Sequence, residues 1–107
     1  MALRPWTLPQ VAAGVVTDFV VPTPTLEVAV IGLIVCNHGA PDAADVAVTL
    51  TDNADVLKAM VFKGTLDPGD SIHIDTKVCL AASPTPDKLR ALSSAAEVSF
   101  LASGDEG

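Results

Sequence analysis

The chain has 107 residues, enough for one domain, and 50% of them are hydrophobic, which excludes an intrinsically disordered protein. A net charge of -7 and a pI of about 4.4 argue against direct binding to DNA or RNA, which needs a basic surface. Aromatic residues make up only 4%, so valine and alanine have to fill the core.

The chain begins with MALRPWTLPQ, which lacks the long apolar stretch of a secretion signal. We therefore expect synthesis and folding in a reducing cytosol. Cys36 and Cys79 have neither a CxxC nor a metal-type spacing, and each sits in an apolar segment, so we predict buried free thiols. Two interpretations of residues 1–12 stay open. They form an N-terminal arm that anchors Trp6, the sole tryptophan, on a neighbouring subunit, or Trp6 covers the core of its own domain.

The segment from Leu26 to Asn37 is apolar almost throughout, and between Val28 and Cys36 its only polar side chain is a thiol. A transmembrane helix needs about 20 apolar residues, and this run is bounded too early to cross a membrane. Its many β-branched residues favour a strand. The segment is therefore predicted to be a strand in the middle of a core, apolar on both faces.

Strict alternation divides that strand into two apolar faces, of which a small antiparallel sandwich covers only one. One face holds Leu26, Val28, Val30, Ile34 and Cys36, and the other holds Ala29, Ile31, Leu33 and Val35. The uncovered face needs either the N-terminal segment or another subunit above it. We expect a subunit, and the predicted interface residues are Trp6, Ala29, Ile31, Leu33 and Val35.

Turn signals recur at short intervals along the rest of the chain, as in an all-β sandwich or barrel. In Asp67-Pro-Gly-Asp70, the clearest of them, proline presets one turn dihedral and glycine supplies the positive one. Asp52–Asp55 is a polar turn that predicts a hairpin. Predicted strands cover 45–51, 56–63, 71–75, 77–82, 89–93 and 97–102, with inward Val46, Val48, Leu50, Ile72, Ile74, Val98 and Phe100, and with a polar tail at 104–107. Residues 55–60 and 88–96 also allow a helical turn.

These elements predict a single all-β domain over residues 1–107. We expect an antiparallel β-sandwich of seven or eight strands, with a jelly roll as the candidate arrangement.

Side chains with catalytic or ligand chemistry are few and are not spaced as a site requires. His38 and His73 lack the paired spacing of a structural zinc site, and Asp52–Asp55 lacks the glycine and distal glutamate of a calcium loop. No Gly-x-Ser-x-Gly elbow surrounds a serine. The sequence predicts a non-enzymatic protein with no metal site and no cofactor.

The order of the segments along the chain nevertheless gives an indication of function. A Val21-Pro22 step leads to a long apolar strand ending in Cys36-Asn37-His38, then to Phe62-Lys-Gly-Thr-Leu-Asp-Pro-Gly-Asp70, and the chain closes on Val98-Ser-Phe-Leu-Ala-Ser-Gly104. This order resembles the small β-sandwich structural proteins of tailed bacteriophages and prophages over nearly the whole chain. It departs from a simple hairpin pattern at 83–87, where two prolines stand in place of a glycine turn.

The resemblance implies a virion component made in the host bacterial cytoplasm: a head decoration, head–tail or tail accessory subunit. Its expected partners are copies of itself and other virion proteins, with no membrane. The alternative is a small binding module that grips a carbohydrate or peptide through loops 38–45, 52–55 and 83–88. The scarcity of aromatic residues argues against that alternative.

Overall fold

The computed structural model describes residues 2–23, 26–80 and 86–107, which form eight β-strands in two packed antiparallel sheets. The all-β sandwich predicted from the sequence is confirmed. The strands are β1 (Ala2–Leu8), β2 (Thr17–Val20), β3 (Val28–Asn37), β4 (Ala44–Thr51), β5 (Leu57–Leu66), β6 (Ser71–Leu80), β7 (Lys88–Ser93) and β8 (Val98–Glu106).

The strand order is that of a jelly roll. The first sheet runs β1-β8-β3-β6 and the second runs β2-β7-β4-β5. The first strand therefore pairs with the last and the second with the seventh, as in an eight-stranded jelly roll. Only β4 and β5 pair as a local hairpin, so almost every sheet contact joins segments that are far apart in the chain.

The core lies between the two sheets and is built mainly from small side chains. Val46, Val48, Val98 and Phe100 are buried as predicted, whereas Leu50 is only half-buried. The ring of Phe100 packs against that of Phe19 with centroids 5.8 Å apart. Valine, leucine and alanine supply most of the remaining buried surface, as the composition required.

Strand β3 does not alternate strictly, because its register shifts between Val30 and Gly32 against both neighbouring strands. Such a bulge places two consecutive residues on one face. Ile31 is 45% exposed on the outer face, and inward alternation resumes at Leu33. Leu33 and Val35 are each 1% exposed in the core of their own chain. The prediction that they lie on an outer interface is wrong.

Gly104 of β8 makes this bulge sterically feasible. It is buried opposite Val30, with Arg4 of β1 on its other side. A Cβ atom at this position would overlap the carbonyl oxygen of Ala29 and lie 2.9 Å from the Cα of Val30. The close approach of β8 to β3 therefore requires a residue without a side chain at position 104.

The two turns singled out in the sequence are confirmed. The backbone N–H of Asp70 donates to the carbonyl of Asp67 at 3.0 Å, and Gly69 adopts a positive φ of 83°. In the other turn, Asp52 Oδ1 accepts from the backbone N–H groups of Ala54 at 2.8 Å and Val56 at 3.0 Å.

Other boundaries differ from the prediction because strand pairing extends them. β6 is one continuous strand where two were predicted, and β8 runs to Glu106 through the predicted polar tail. Residues 57–66 and 88–93 are strands, so the helical alternatives are wrong there. Both thiols are free, but Cys79 is exposed and Cys36 half-buried, since both lie on the outer side of the first sheet. The predicted break at 83–87 lies mostly outside the described residues.

One buried polar side chain, Asn37 at the end of β3, organises the loops at that end. Its amide donates to the carbonyl of Leu66 at 3.1 Å and to that of Asp42 at 3.3 Å, and its Oδ1 accepts from the N–H of Ala40 at 3.1 Å. It is fully buried. Asn37 thus ties the loop after β3 and the end of β5 to the central strand.

We predict that Asn37→Ala lowers the free energy of unfolding by about 2–4 kcal/mol, because buried backbone groups lose their partners. Urea unfolding followed by circular dichroism measures this. Asn53→Ala, in an exposed turn, is the matched control and is expected to change stability by less than about 0.5 kcal/mol. Equal effects of the two substitutions would contradict the role of Asn37.

We predict that Gly104→Ala lowers the free energy of unfolding by at least about 2 kcal/mol, because the strands have to separate to admit a methyl group. The same urea titration applies. Ser103→Ala alters the neighbouring exposed residue of the same strand and serves as the control. A Gly104→Ala protein as stable as the control would show that β8 does not approach β3 this closely.

Candidate functional site

The two sides of the sandwich differ in how their edge strands are protected. On one side lie β1 and β2, which contact each other, and on the other lie β5 and β6, joined by the 67–70 turn. An edge strand presents unpaired backbone groups that can pair with another chain, so native proteins usually block it. We call the β1–β2 side the closed side and the β5–β6 side the open side.

The closed side carries several blocking features. Pro5 in the middle of β1 has no N–H to donate, and β2 has only 4 residues. The guanidinium of Arg4 lies 2.7 Å from Glu106, which also accepts the N–H of Thr23 at 2.9 Å. The hydrogen bond from Thr23, and secondarily the one from Arg4, lowers the pKa of Glu106. These contacts fasten the segment after β2 to the β1–β8 edge.

The open side has two long edge strands of 10 residues each. Within the described residues, no strand pairs with the outer edge of either. β5 and the residue before it expose Val56 (60%), Leu57 (60%) and Met60 (50%), which we call the β5 patch. Exposed apolar side chains grouped on one edge are typical of interaction surfaces.

Apolar side chains that point into the sandwich along the open side are also incompletely covered. They contact the core but remain half-buried: Val61 and Phe62 on β5, and Ile72, Ile74 and Val78 on β6. Ile72 and Ile74 were predicted to point inward, and they do so without being fully enclosed. The gap between β5 and β6 therefore leaves part of the core in contact with solvent.

The predicted interface residues do not lie together. Trp6 is buried in the core of its own chain, with the Arg4 guanidinium 5.1 Å from its ring, as the second interpretation of residues 1–12 expected. Ala29 and Ile31 lie on the outer face of the first sheet, half-buried and exposed respectively. Leu33 and Val35 are inside. The open side was missed because strand order, which decides the edges, is not visible in the hydrophobic pattern.

The outer face of the second sheet carries a network of charges. Lys88 Nζ lies 2.6 Å from Asp55 and 3.1 Å from Asp18, and Arg90 Nε lies 2.9 Å from Asp18. The network links β2, β7 and the β4–β5 turn. The hydrogen bond with Lys88 lowers the pKa of Asp55, and the same bond raises the pKa of Lys88. Sequence spacing did not reveal it, because its members come from distant segments.

The side chains that could take part in catalysis or metal binding do not lie together in the fold. His38 lies 3.2 Å from the carbonyl of Pro9, and His73 is exposed on β6. Ser93 is buried and accepts the N–H of Ala95, while the hydroxyl of Ser94 accepts the N–H of Asp45. Over 2–23, 26–80 and 86–107, no three histidine, cysteine or acidic side chains group as metal ligands would.

The chain matches no protein-family model and no curated protein. Among the residues that the structure describes, no helix is long and apolar enough to span a membrane.

We predict that Asp55→Asn reduces the loss of unfolding free energy that occurs when the pH is lowered. The pKa of Asp55 is lower in the folded state, so its ion pairs stabilise the fold above the ordinary carboxyl pKa of about 4 and are lost as pH falls through the folded pKa. Asparagine tolerates the positive φ of 68° at this position. The substitution therefore removes the negative charge without straining the backbone.

The measurement is the difference in unfolding free energy between pH 7 and about pH 3. The native chain should lose more stability over this interval than Asp55→Asn does. Asp42→Asn removes an exposed loop carboxylate and should keep the native pH dependence. An Asp55→Asn protein with the same pH dependence as the native chain would contradict the network's contribution.

Proposed function

We propose that the protein is a non-enzymatic structural subunit of a phage or prophage particle, which self-associates and docks on other particle proteins through its open side. The observation that carries the proposal is the contrast between the two sides of the sandwich. Pro5 and the short β2 block one side, whereas β5 and β6 are long and unpaired within the described residues, and β5 exposes apolar side chains.

The physical reason for assembly is the free energy of covering the open side. Burying apolar surface contributes about 25 cal/mol per Å², and an added strand satisfies the backbone groups of the edge. The half-buried side chains of Phe62 and Ile74 and the exposed Leu57 and Met60 all gain cover when another chain seats there. A core of small residues buries less area per residue, which favours a subunit stabilised by its neighbours.

The fold and the segment order support a particle component in particular. Jelly rolls are used by viral capsid proteins, among others, and the order of segments resembles that of phage structural proteins. A fold shared by several functions supports such a proposal only by analogy. The acidic surface fits a subunit that contacts protein and not packaged nucleic acid.

The alternative function is a binding module for a carbohydrate or peptide. It is favoured by a depression of about 280 Å³ on the outer face of the second sheet, lined by Asp45, Ala47, Lys63, Thr65 and Leu92 among others. Jelly rolls also occur in lectins. The lining contains no aromatic side chain on which a sugar ring could stack, and this favours the structural role.

We predict that the native chain has a stable mass that is a multiple of 10.9 kDa and that Leu57→Ser/Met60→Ser lowers this mass. The substitutions remove apolar surface from the β5 patch. Both residues are exposed in the single chain, so serine at these positions should not disturb the core. Light scattering on a sizing column across a concentration series measures the mass.

Val15→Ser/Val16→Ser is the matched control, because these valines are also exposed (53% and 41%) but lie between β1 and β2. Its mass should equal that of the native chain. A native monomer at every concentration would overturn self-association and leave the binding module as the function to test with glycan and peptide arrays. Loss of mass in the control alone would show that the closed side is the interface.

A further inference from the structure

Strand β6 has a residue pattern that is complementary to itself. Its outward side chains are Ser71, His73, Asp75, Lys77 and Cys79, and its inward ones are Ile72, Ile74, Thr76, Val78 and Leu80. When two copies run antiparallel with Thr76 at the centre, Asp75 of each lies opposite Lys77 of the other. On the inward face, Ile74 then lies opposite Val78, and Ile72 opposite Leu80.

The charges concerned are available for such contacts. Asp75 and Lys77 project from the outer face of β6, and both are exposed. Neither belongs to the ion pairs formed within the described part of the chain, which instead use Arg4, Lys58, Lys88 and Arg90 as cations. Opposite charges directly across antiparallel strands stabilise the pairing, and like charges destabilise it.

The other edge strands do not share this property. β5 carries Lys58 and Lys63 and no acidic residue, so pairing two copies about its centre, between Val61 and Phe62, forms no opposite-charge contact: Lys63 lies opposite Met60 and Lys58 opposite Thr65. β1 contains Pro5, and β2 is only 4 residues long. Among the four edges, β6 alone combines length, a free edge within the described residues and complementary charges.

We propose that β6 pairs antiparallel with β6 of a second copy about a two-fold axis at Thr76, which joins the two first sheets into one continuous sheet. The inference rests on the proposed function, and it names the partner and the register. An isologous contact of this kind is the commonest form of closed assembly. Because β5 lies beneath β6 at the open side, the same pairing also covers the half-buried Phe62 and Ile74.

A single engineered cysteine tests the register. At the axis each Thr76 faces its own copy, and the Cα atoms of directly opposed residues lie about 4.5–5.5 Å apart, within disulfide range. We expect Thr76→Cys, in a Cys36→Ser/Cys79→Ser background, to form a covalent dimer under mild oxidation. Val78→Cys in the same background is the control, because position 78 then faces Ile74 of the second copy and should not cross-link.

Charge exchange tests the proposed ion pairs. Asp75→Lys and Lys77→Asp each create two like-charge contacts by symmetry, and each should weaken the dimer by roughly ten- to a hundredfold in Kd. The double variant Asp75→Lys/Lys77→Asp restores opposite charges on both sides and should recover the native Kd. Sedimentation equilibrium measures Kd, and the recovery also shows that the single variants remain folded.

The possible outcomes distinguish a failure of the proposed β6 pairing from a failure of the proposed function. An oligomeric native chain in which Thr76→Cys does not cross-link and Asp75→Lys leaves Kd unchanged overturns β6 pairing while leaving self-association standing. Masses that grow without limit as concentration rises, without the cross-link, indicate head-to-tail pairing of β6 with β5 and also overturn the two-fold. A native monomer at every concentration overturns both.

Discussion

The close contact between the bulge of β3 and Gly104 of β8 fixes which side chains the first sheet presents to the core. β3 is flanked by β8 and β6, so its side-chain alternation decides what the first sheet presents to the core. The register shift between Val30 and Gly32 returns Leu33 and Val35 to the interior. That shift is accommodated only because β8 has no side chain where it passes Ala29.

Structural features at both ends of β3 are connected with this contact. With Leu33 and Val35 inside, the last residue of β3 is also directed inward, and that residue is Asn37, whose amide binds the surrounding loops. At the other end, Gly104 lies opposite Arg4, which pairs with Glu106. The irregularity in β3 therefore directs Asn37 into the loops that follow the strand, while the β1–β8 pairing beside Gly104 keeps a regular register.

The jelly-roll order explains why assembly is expected on one side only. The chain places its proline-containing strand and its shortest strand together at one side, and its two long edge strands together at the other. Edge protection is thus concentrated where β1 and β2 meet. Ile72, Ile74 and Phe62 contact the core at the unprotected side and stay partly exposed.

The fold class, the two turns at 52–55 and 67–70, and most strands could be predicted from the sequence, because hydrophobic alternation and turn chemistry act between neighbouring residues. Four features could not be predicted and emerge from the packed fold: the faces of β3, the burial of Asn37, the charge network around Lys88 and the open side. Each of these depends on which distant strand lies alongside. A bulge shifts alternation by one residue without any change in hydrophobicity, and an edge exists only once the strand order is set.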